Sequence, residues 1–164
     1  MPVMMALDAI KGSYGTAFCT FFDSRLGAKV KKPVFSLKKF DARAQVTNAP
    51  FTVIGSRVQQ HKPSTIAFSG SATAVYGAFP ALDDYLELYL KTGLVEPLEF
   101  VMTNEDPASS MGIRSVALYR VLPNSFPITR LDDTADILYH DFDFVFDDFE
   151  VIRRFDEPTS YVEY

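Results

Sequence analysis

Apolar and polar residues alternate along most of the chain, and a period of two is the pattern of a half-buried β-strand. The first two predicted strands flank residues 23–33, a polar segment that we interpret as the tip of a long hairpin. Residues 47–63 contain Pro50, Gly55 and Pro63, which favour a long loop. The predicted strands are Thr16–Phe22, Pro33–Phe40 with its continuation to Asn48, Thr65–Gly77, Pro97–Thr103, Ile113–Pro123 and Ile137–Phe149.

One segment, residues 79–93, has the period of an α-helix instead. Pro80 suits its first turn, and Gly93 suits the position just after its last turn. The sequence therefore predicts a mainly antiparallel β fold with one helix, and residues 1–164 form one domain because no repeat or linker interrupts them. The apolar face of the predicted helix consists of Leu82, Tyr85, Leu86, Tyr89 and Leu90.

Three local irregularities are predicted within this pattern. Gly70 interrupts its strand and marks a bulge or a close approach of another backbone segment. Residues 104–112 have the turn chemistry of an exposed, mobile loop. The alternation slips by one position at Asp147–Asp148, which predicts a bulge or a strand end there.

The composition is that of a folded globular chain, with 48% hydrophobic residues, 15 Phe, 8 Tyr and no Trp. Cys19 is the single cysteine, so no intrachain disulfide can form. The N-terminal residues lack the basic region of a signal peptide, and no run reaches the ~20 apolar residues of a membrane span. We therefore expect a soluble protein, made in a cytoplasm, without membrane contact.

Charge is distributed unevenly along the chain, whose net charge is −5. Residues 1–62 contain ten Lys or Arg and three Asp or Glu, a net charge of +7. Residues 63–164 contain six Lys or Arg and eighteen Asp or Glu, a net charge of −12. Two solvated faces of opposite sign would explain this pattern. Self-association, in which the basic part of one subunit meets the acidic part of the next, would explain it as well.

Carboxylates and phenylalanines nearly alternate in the last predicted strand. Asp141 and Asp143 share one face and Asp147 lies further along it, while three phenylalanines point the other way. Neighbours on one face of a strand lie ~7 Å apart, whereas a metal ion needs ligands that converge at roughly 2.0–2.6 Å. A glycosidase-like acid pair is geometrically possible, because those enzymes use separations of ~5–9 Å. The structural interpretation is that the phenylalanines enter the core and the acids face water.

Other candidate chemistry is sparse. His61 and His140 are far apart in sequence, and with a single cysteine they give no zinc-ligand spacing. Cys19 lies in the middle of a strand, as expected of a buried, unreactive thiol. No Gly-rich phosphate loop is present, so the sequence predicts no cofactor and no metal. The basic residues from Lys29 to Arg43 could contact phosphates, although the whole molecule is acidic.

The order of these elements resembles that of the tail-tube (tail core) proteins of contractile-tailed phages and phage-tail-like bacteriocins. The resemblance extends from about Gly12 to Phe155 and rests on the order of loose motifs. Two departures are a longer, more basic hairpin tip and an extended tail after Phe155. The residues that match the family pattern are Ile54, Gly55 and Lys62 in a loop, Gly70 and Tyr76 in a strand, Asp106 in a polar loop, Arg114 in the next strand, and Phe144, Phe146, Asp148 and Phe149 in the closing strand.

The resemblance implies an antiparallel β-sandwich or rolled barrel with one helix, assembled as homohexameric rings. Stacked rings would form the inner tube of a virion tail, built in the host cytoplasm, through which DNA is ejected without specific binding. The implied partners are other copies of the chain, the tail sheath protein, the tape-measure protein, the baseplate tube initiator and the tail terminator. The resemblance implies neither enzymatic activity nor a cofactor.

Site residues are implied by the same resemblance. Residues 1–12 would form an N-terminal arm, residues 47–63 a loop for contacts between subunits, and residues 156–164 a C-terminal tail. An acidic channel wall would repel DNA phosphates. The candidate channel or ring-interface residues are Asp141, Asp143, Asp147 and Asp148, and the candidate contacts between rings are Lys29, Lys31, Lys32, Ile54, Gly55, Arg57 and Lys62.

Three alternative functions stay open at this point. A tailocin or a contractile secretion system would use the same kind of tube without a genome. A small β-barrel enzyme would act through Asp141 or Asp143. A nucleic-acid-binding module would use the basic region from Lys29 to Arg43.

Overall fold

The computed structural model describes residues 2–23, 25–34, 37–77, 79–159 and 161–163. Ten strands, one α-helix and a short 3-10 turn at Ala6–Asp8 make up the regular structure of this described part. Among its helices none has both the length and the apolar character needed to cross a membrane. In chain order the elements are β1 Pro2–Met4, β2 Gly15–Asp23, β3 Ala28–Pro33, β4 Leu37–Phe51, β5 Gln60–Val75, α1 Ala81–Thr92, β6 Leu98–Glu105, β7 Ile113–Ser125, β8 Tyr139–Phe146, β9 Asp148–Arg153 and β10 Tyr161–Glu163.

The long strands form two antiparallel sheets that share β7. In the first sheet the strand order is β3-β2-β6-β7-β9. In the second sheet the order is β4-β5-β8-β7, and β8 pairs with the C-terminal part of β7 from Leu122 onward. The predicted fold, mainly antiparallel β with one helix, is therefore confirmed.

Phenylalanines hold the two sheets together. The rings of Phe100 on β6 and Phe144 on β8 are 5.7 Å apart between centroids, and Phe40 on β4 lies 5.5 Å from Phe100. Phe142, Phe144 and Phe146 are all buried, as the alternation in the last predicted strand indicates. Burial of each such side chain contributes roughly 1.5–3 kcal/mol, so this aromatic layer stabilises the contact between the sheets.

The shared strand changes sheets at Arg120, a residue with φ 53° in the left-handed region. Opposite it, β8 ends at Phe146 and β9 begins at Asp148, so the predicted irregularity at Asp147–Asp148 is confirmed. The guanidinium of Arg120 lies 3.5 Å from Asp147 Oδ2 and 4.0 Å from Asp148 Oδ2. Bends of this kind form the corners where strands pass between packed sheets. We call Arg120, Asp147 and Asp148 the corner.

Gly70 on β5 lies directly beneath the Phe144 ring. A Cβ atom at this position would come within 2.6 Å of Phe144 Cε2 and within 2.6 Å of the Asp41 carbonyl oxygen. Real Cβ atoms do not approach other atoms so closely, so glycine is required here. Of the two predicted explanations for Gly70, the close approach is the one that the structure bears out.

The helix ends where the sequence predicts, but its predicted apolar face is only partly buried. Gly93 adopts φ 71° after the last turn, and its N–H donates to the Tyr89 carbonyl at 2.8 Å. Leu82 is fully buried against the core, whereas Leu90 is 72% exposed. The apolar face is therefore covered only along its N-terminal half, because the helix leaves the sandwich as it proceeds.

The predicted hairpin tip at residues 23–33 is too long. Residues 28–33 form β3, which pairs with β2 from Phe18↔Pro33 to Asp23↔Ala28. The predicted partner strand, Pro33–Phe40, spans Phe35 and Ser36, which lie outside the described residues, as does Ser24 in the turn. Three lysines at an unpaired edge obscured β3 in the sequence, because lysine has a low strand propensity.

The predicted long loop at residues 47–63 is also wrong in extent. β4 continues to Phe51 and β5 begins at Gln60, so residues 52–59 alone connect them. We call residues 45–67 the ribbon, because this hairpin extends roughly 20–25 Å beyond the sheet, at ~3.3 Å per residue. Pro50 and Pro63 are tolerated in it because each strand of a two-stranded ribbon has an open outer side. A missing N–H on that side breaks no hydrogen bond of the ladder.

The termini pair with each other and with the loop at residues 104–112. β1 and β10 form a two-stranded sheet, and the Asp106 carboxylate accepts hydrogen bonds from the Lys11 and Ala108 amides, both at 3.0 Å. Asp106 is 5% exposed and anchors the loop, whereas Asn104, Glu105, Pro107, Ala108 and Ser110 are exposed as predicted. The predicted N-terminal arm and C-terminal tail include Met1, Ser160 and Tyr164, which lie outside the described residues.

Candidate assembly surfaces

The outer face of the second sheet is polar and nearly balanced in charge. Asp141 and Asp143 point away from the core here, as predicted, but basic side chains of β4 stand beside them. Asp141 accepts a hydrogen bond from Thr73 Oγ1 at 2.8 Å and lies 3.8 Å from Arg130 Nη1. We call this surface the polar face; it comprises Lys39, Asp41, Arg43, Ser69, Ser71, Thr73, Asp141 and Asp143.

The four predicted acids do not form one row. Asp147 and Asp148 belong to the corner, where both face Arg120, while Asp141 and Asp143 lie on the polar face. All these ion pairs are exposed, and such pairs contribute about 0–1 kcal/mol each. The predicted acidic wall is therefore better described as a hydroxyl-rich surface with alternating charges.

The lysines of β3 lie along an outer edge of the first sheet. Lys31 Nζ is 5.1 Å from the Phe18 ring centroid, and Lys32 Nζ is 5.7 Å from that of Phe21. Lys29 is the third exposed lysine of this strand, opposite Phe22. Lysines on an edge strand prevent indiscriminate edge-to-edge aggregation while leaving the unpaired backbone groups of that edge available to a specific partner.

The tip of the ribbon is apolar and basic. Ile54 is fully exposed, and Gly55 adopts φ 92° in the turn. Arg57 and Lys62 are exposed as well, and residues 45–67 contain no Asp or Glu. The predicted contact residues of this region thus project into solvent from one extension, whereas Lys29, Lys31 and Lys32 lie on a different strand.

One feature of the surface has no counterpart among the predicted sites. Where the ribbon diverges from β9, the two sheets separate and leave an open apolar cleft of about 360 Å³, which we call the wedge. Phe149 at its mouth is 45% exposed, and Arg43, Asn104 and Arg114 supply its polar atoms. The apolar lining is Phe40, Ala42, Ala44, Phe68, Met102, Val116, Leu118, Phe146 and Phe149.

Groups with catalytic chemistry are buried or isolated. Cys19 is fully buried, and burial raises the pKa of its thiol far above the usual range. Burial also lowers the pKa of His140, whose Nε2 has no hydrogen-bond partner among the residues that the structure describes. Within the described ranges no three His, Cys, Asp or Glu side chains gather as metal ligands. The surface also presents open strand edges, an extended ribbon and an apolar cleft.

The fold is an open-edged antiparallel β-sandwich with one helix. The family model described as phage tail tube protein matches residues 3–153. The chain therefore belongs to the phage tail tube protein family, and it is a structural component of a phage tail or a related contractile system.

Sequence and structure comparisons agree with this membership. The chain is 27% identical over 119 residues to the phage-like element PBSX protein XkdM of Bacillus subtilis (strain 168), which covers 72% of this chain and 80% of that protein. A chain of the sheath–tube complex of the extracellular contractile injection system PVC has the same fold, with TM-score 0.62, 11% identity and coverage of 88% and 93%. A chain of the tube-terminating cap of the anti-feeding prophage gives TM-score 0.62 and 11% identity, covering 87% and 90%.

Proposed function

We propose that copies of this chain assemble as homohexameric rings and that the rings stack into the hollow inner tube of a contractile tail. The observation that supports this most directly is the pair of open edges on one continuous set of strands. β3 at one end and β4 at the other each have a single neighbouring strand among the described residues. Pairing of β3 of one copy with β4 of the next covers both of these edges and, repeated around an axis, closes a ring.

In this arrangement the polar face lines the channel. It lies on the sheet that carries the open β4 edge, and its small hydroxyl side chains leave the lumen wide. Asp141 and Asp143 are placed there, with Lys39 and Arg43 close to them. Alternating charges bind a polyanion weakly, because each basic side chain has an acidic neighbour that repels phosphate. Such a wall lets DNA slide through without sticking.

The partners of the tube follow from its two ends and its outer surface. We propose a baseplate initiator at one end, a terminator at the other, a tail sheath outside and a tape-measure protein inside. Related chains come from structures described as a baseplate, a tube-terminating cap and a sheath–tube complex. The tube would be assembled in the host cytoplasm and function in the virion tail.

The test is electron microscopy of the purified protein over a range of concentrations, with and without tail initiator proteins. Rings or hollow tubes of uniform diameter with sixfold symmetry are the expected result. Particles that remain monomeric in every mixture would refute the proposal. Charge reversal of Asp141 and Asp143 together should leave ring formation intact and slow DNA passage, if those acids line the channel.

A tube without a genome is the second candidate. The anti-feeding prophage and PVC chains with this fold belong to particles described as a prophage and as an injection system. Purified particles that carry protein and no DNA in the lumen would favour this candidate, whereas filled capsids on the same tails would favour DNA ejection.

A further inference from the structure

The segment between β7 and β8 exposes aliphatic side chains among acids. Leu131 is 93% exposed and Ile128 is 76% exposed, although neither has a polar group to place in water. Asp132, Asp133 and Asp136 follow within the same loop. We call residues 128–136 the knob.

The one basic side chain of the knob is turned back toward its own subunit. Arg130 Nη1 donates to the Tyr139 carbonyl at 3.1 Å and lies 3.8 Å from Asp141 Oδ2. Asp132 Oδ1 accepts hydrogen bonds from the Thr134 amide at 3.0 Å and hydroxyl at 2.7 Å, which holds the turn in shape. The outward surface of the knob is therefore aliphatic and negative.

The wedge has the complementary character. Its walls are aromatic and aliphatic, and Arg114 supplies its positive charge, since the other lining arginine, Arg43, belongs to the polar face. Among the described residues, no carboxylate lies within ion-pair distance of Arg114, whereas Arg43 pairs with Asp41 at 2.8 Å. A cavity of about 150 Å³ is known to hold a benzene molecule, so the 360 Å³ wedge has room for more than one aliphatic side chain.

Knob and wedge cannot meet within one molecule. β7 begins beside the wedge at Arg114 and ends at Ser125, just before the knob. β7 bends at Arg120, whereas β5 and β8 run from Val75 and Tyr139 beside the knob to Phe68 and Phe146 in the wedge. These eight residues span roughly 25 Å, so the two surfaces lie at opposite ends of the second sheet. A contact between them therefore requires a second copy of the chain.

We propose that the knob of one subunit inserts into the wedge of a subunit in the next ring, with Leu131 against the apolar walls and Asp132 and Asp133 toward Arg114. The contact is heterologous, so it repeats along an axis. This inference rests on the proposed tube and assigns its ring-to-ring contact. It also gives the tube a direction, since one end presents unfilled wedges and the other presents free knobs.

Cross-linking with engineered cysteines tests this pairing. Leu131→Cys and Phe149→Cys place thiols on the knob and at the mouth of the wedge, and native Cys19 is fully buried. Chains with both substitutions should give a ladder of covalent oligomers, whereas an equimolar mixture of the two single variants should stop at dimers. The matched control moves the first cysteine to Leu90, which is 72% exposed on α1. An equal ladder from this control, or no ladder from the original pair, would overturn the proposal.

Assembly of Leu131→Asp separates this inference from the proposed function. The variant should fold normally because the side chain is exposed, as circular dichroism can verify. It should form rings yet need a roughly tenfold or higher concentration to form tubes, since the burial of one leucine changes an association constant by at least that factor. Reversal of Asp132 and Asp133 to lysine should block stacking, and Arg114→Glu in the same chain should restore it.

The outcomes divide clearly. Wild-type protein that forms neither rings nor tubes refutes the proposed function. Wild-type tubes together with Leu131→Asp tubes at the same concentration refute the knob-and-wedge contact alone. A Leu131→Asp variant that loses rings as well as tubes would show that the knob acts within a ring, which also overturns the proposed direction.

Discussion

Replacement of Gly70 by alanine is the sharpest test of how the two sheets pack. The added Cβ would lie within 2.6 Å of both Phe144 Cε2 and the Asp41 carbonyl oxygen. Phe144 cannot yield, because it is 1% exposed and its ring lies 5.3 Å from that of Phe40 and 5.7 Å from that of Phe100. The backbone oxygen cannot rotate away at all.

The expected magnitude follows from two opposing effects. Overpacking of a dense core costs about 1–3 kcal/mol, and a clash with backbone belongs at the upper end. Alanine restricts the unfolded chain more than glycine and returns about 0.4–1 kcal/mol. We expect the free energy of unfolding to fall by about 1–3 kcal/mol, which lowers Tm by roughly 3–10 °C in a domain of this size.

The measurement is urea unfolding of the unassembled subunit at a fixed, low protein concentration. Gly12→Ala is the matched control, since a Cβ there meets nothing within 4 Å and the residue has no positive φ. Phe144→Leu in the Gly70→Ala background should make the double variant more stable than the sum of the single effects, by at least ~0.5 kcal/mol. Wild-type stability of Gly70→Ala, or strict additivity in the cycle, would refute the packing argument.

Three further predictions concern buried groups. Burial lowers the pKa of His140 below its usual 6.5, so the unfolded chain binds the proton first and the free energy of unfolding falls as the pH drops below 6.5. His140→Phe should flatten urea midpoints between about pH 7.5 and 5.5 relative to wild type. Asp106→Ala should cost about 1–3 kcal/mol and speed amide hydrogen exchange at Lys11, because a partly buried amide loses its acceptor. Cys19 should react with thiol reagents only at the rate of unfolding, so rapid labelling of the native protein would contradict its burial.

Local sequence patterns predict those parts of the fold that depend on interactions between residues close in sequence. The helix was predicted from its period and from Gly93, and the burial of Phe142, Phe144 and Phe146 followed from their alternation. Gly70 was recognised as a special position because a glycine within a strand weakens it unless something must come close. These signals depend on neighbours in sequence, so one chain is enough to detect them.

The errors share a different cause. The sequence predicts a loop in place of the ribbon because of Pro50 and Pro63. Proline excludes a strand only where both sides of the strand are paired, and pairing is a property of the whole sheet. The pairing of β1 with β10 joins opposite ends of the chain and leaves no local pattern. The wedge arises from the divergence of two strands, so its residues could be assigned to a core but not to a cleft.

The sharing of β7 between the sheets has a mechanical consequence. Because the two sheets are joined along one strand, the angle between them depends on the conformation of that strand. That angle is held at Arg120, where a non-glycine residue keeps a left-handed conformation beside two exposed ion pairs that salt can screen. In the proposed tube, a change of a few degrees in this angle would alter the curvature of every ring, so the diameter of the channel would depend on this one bend.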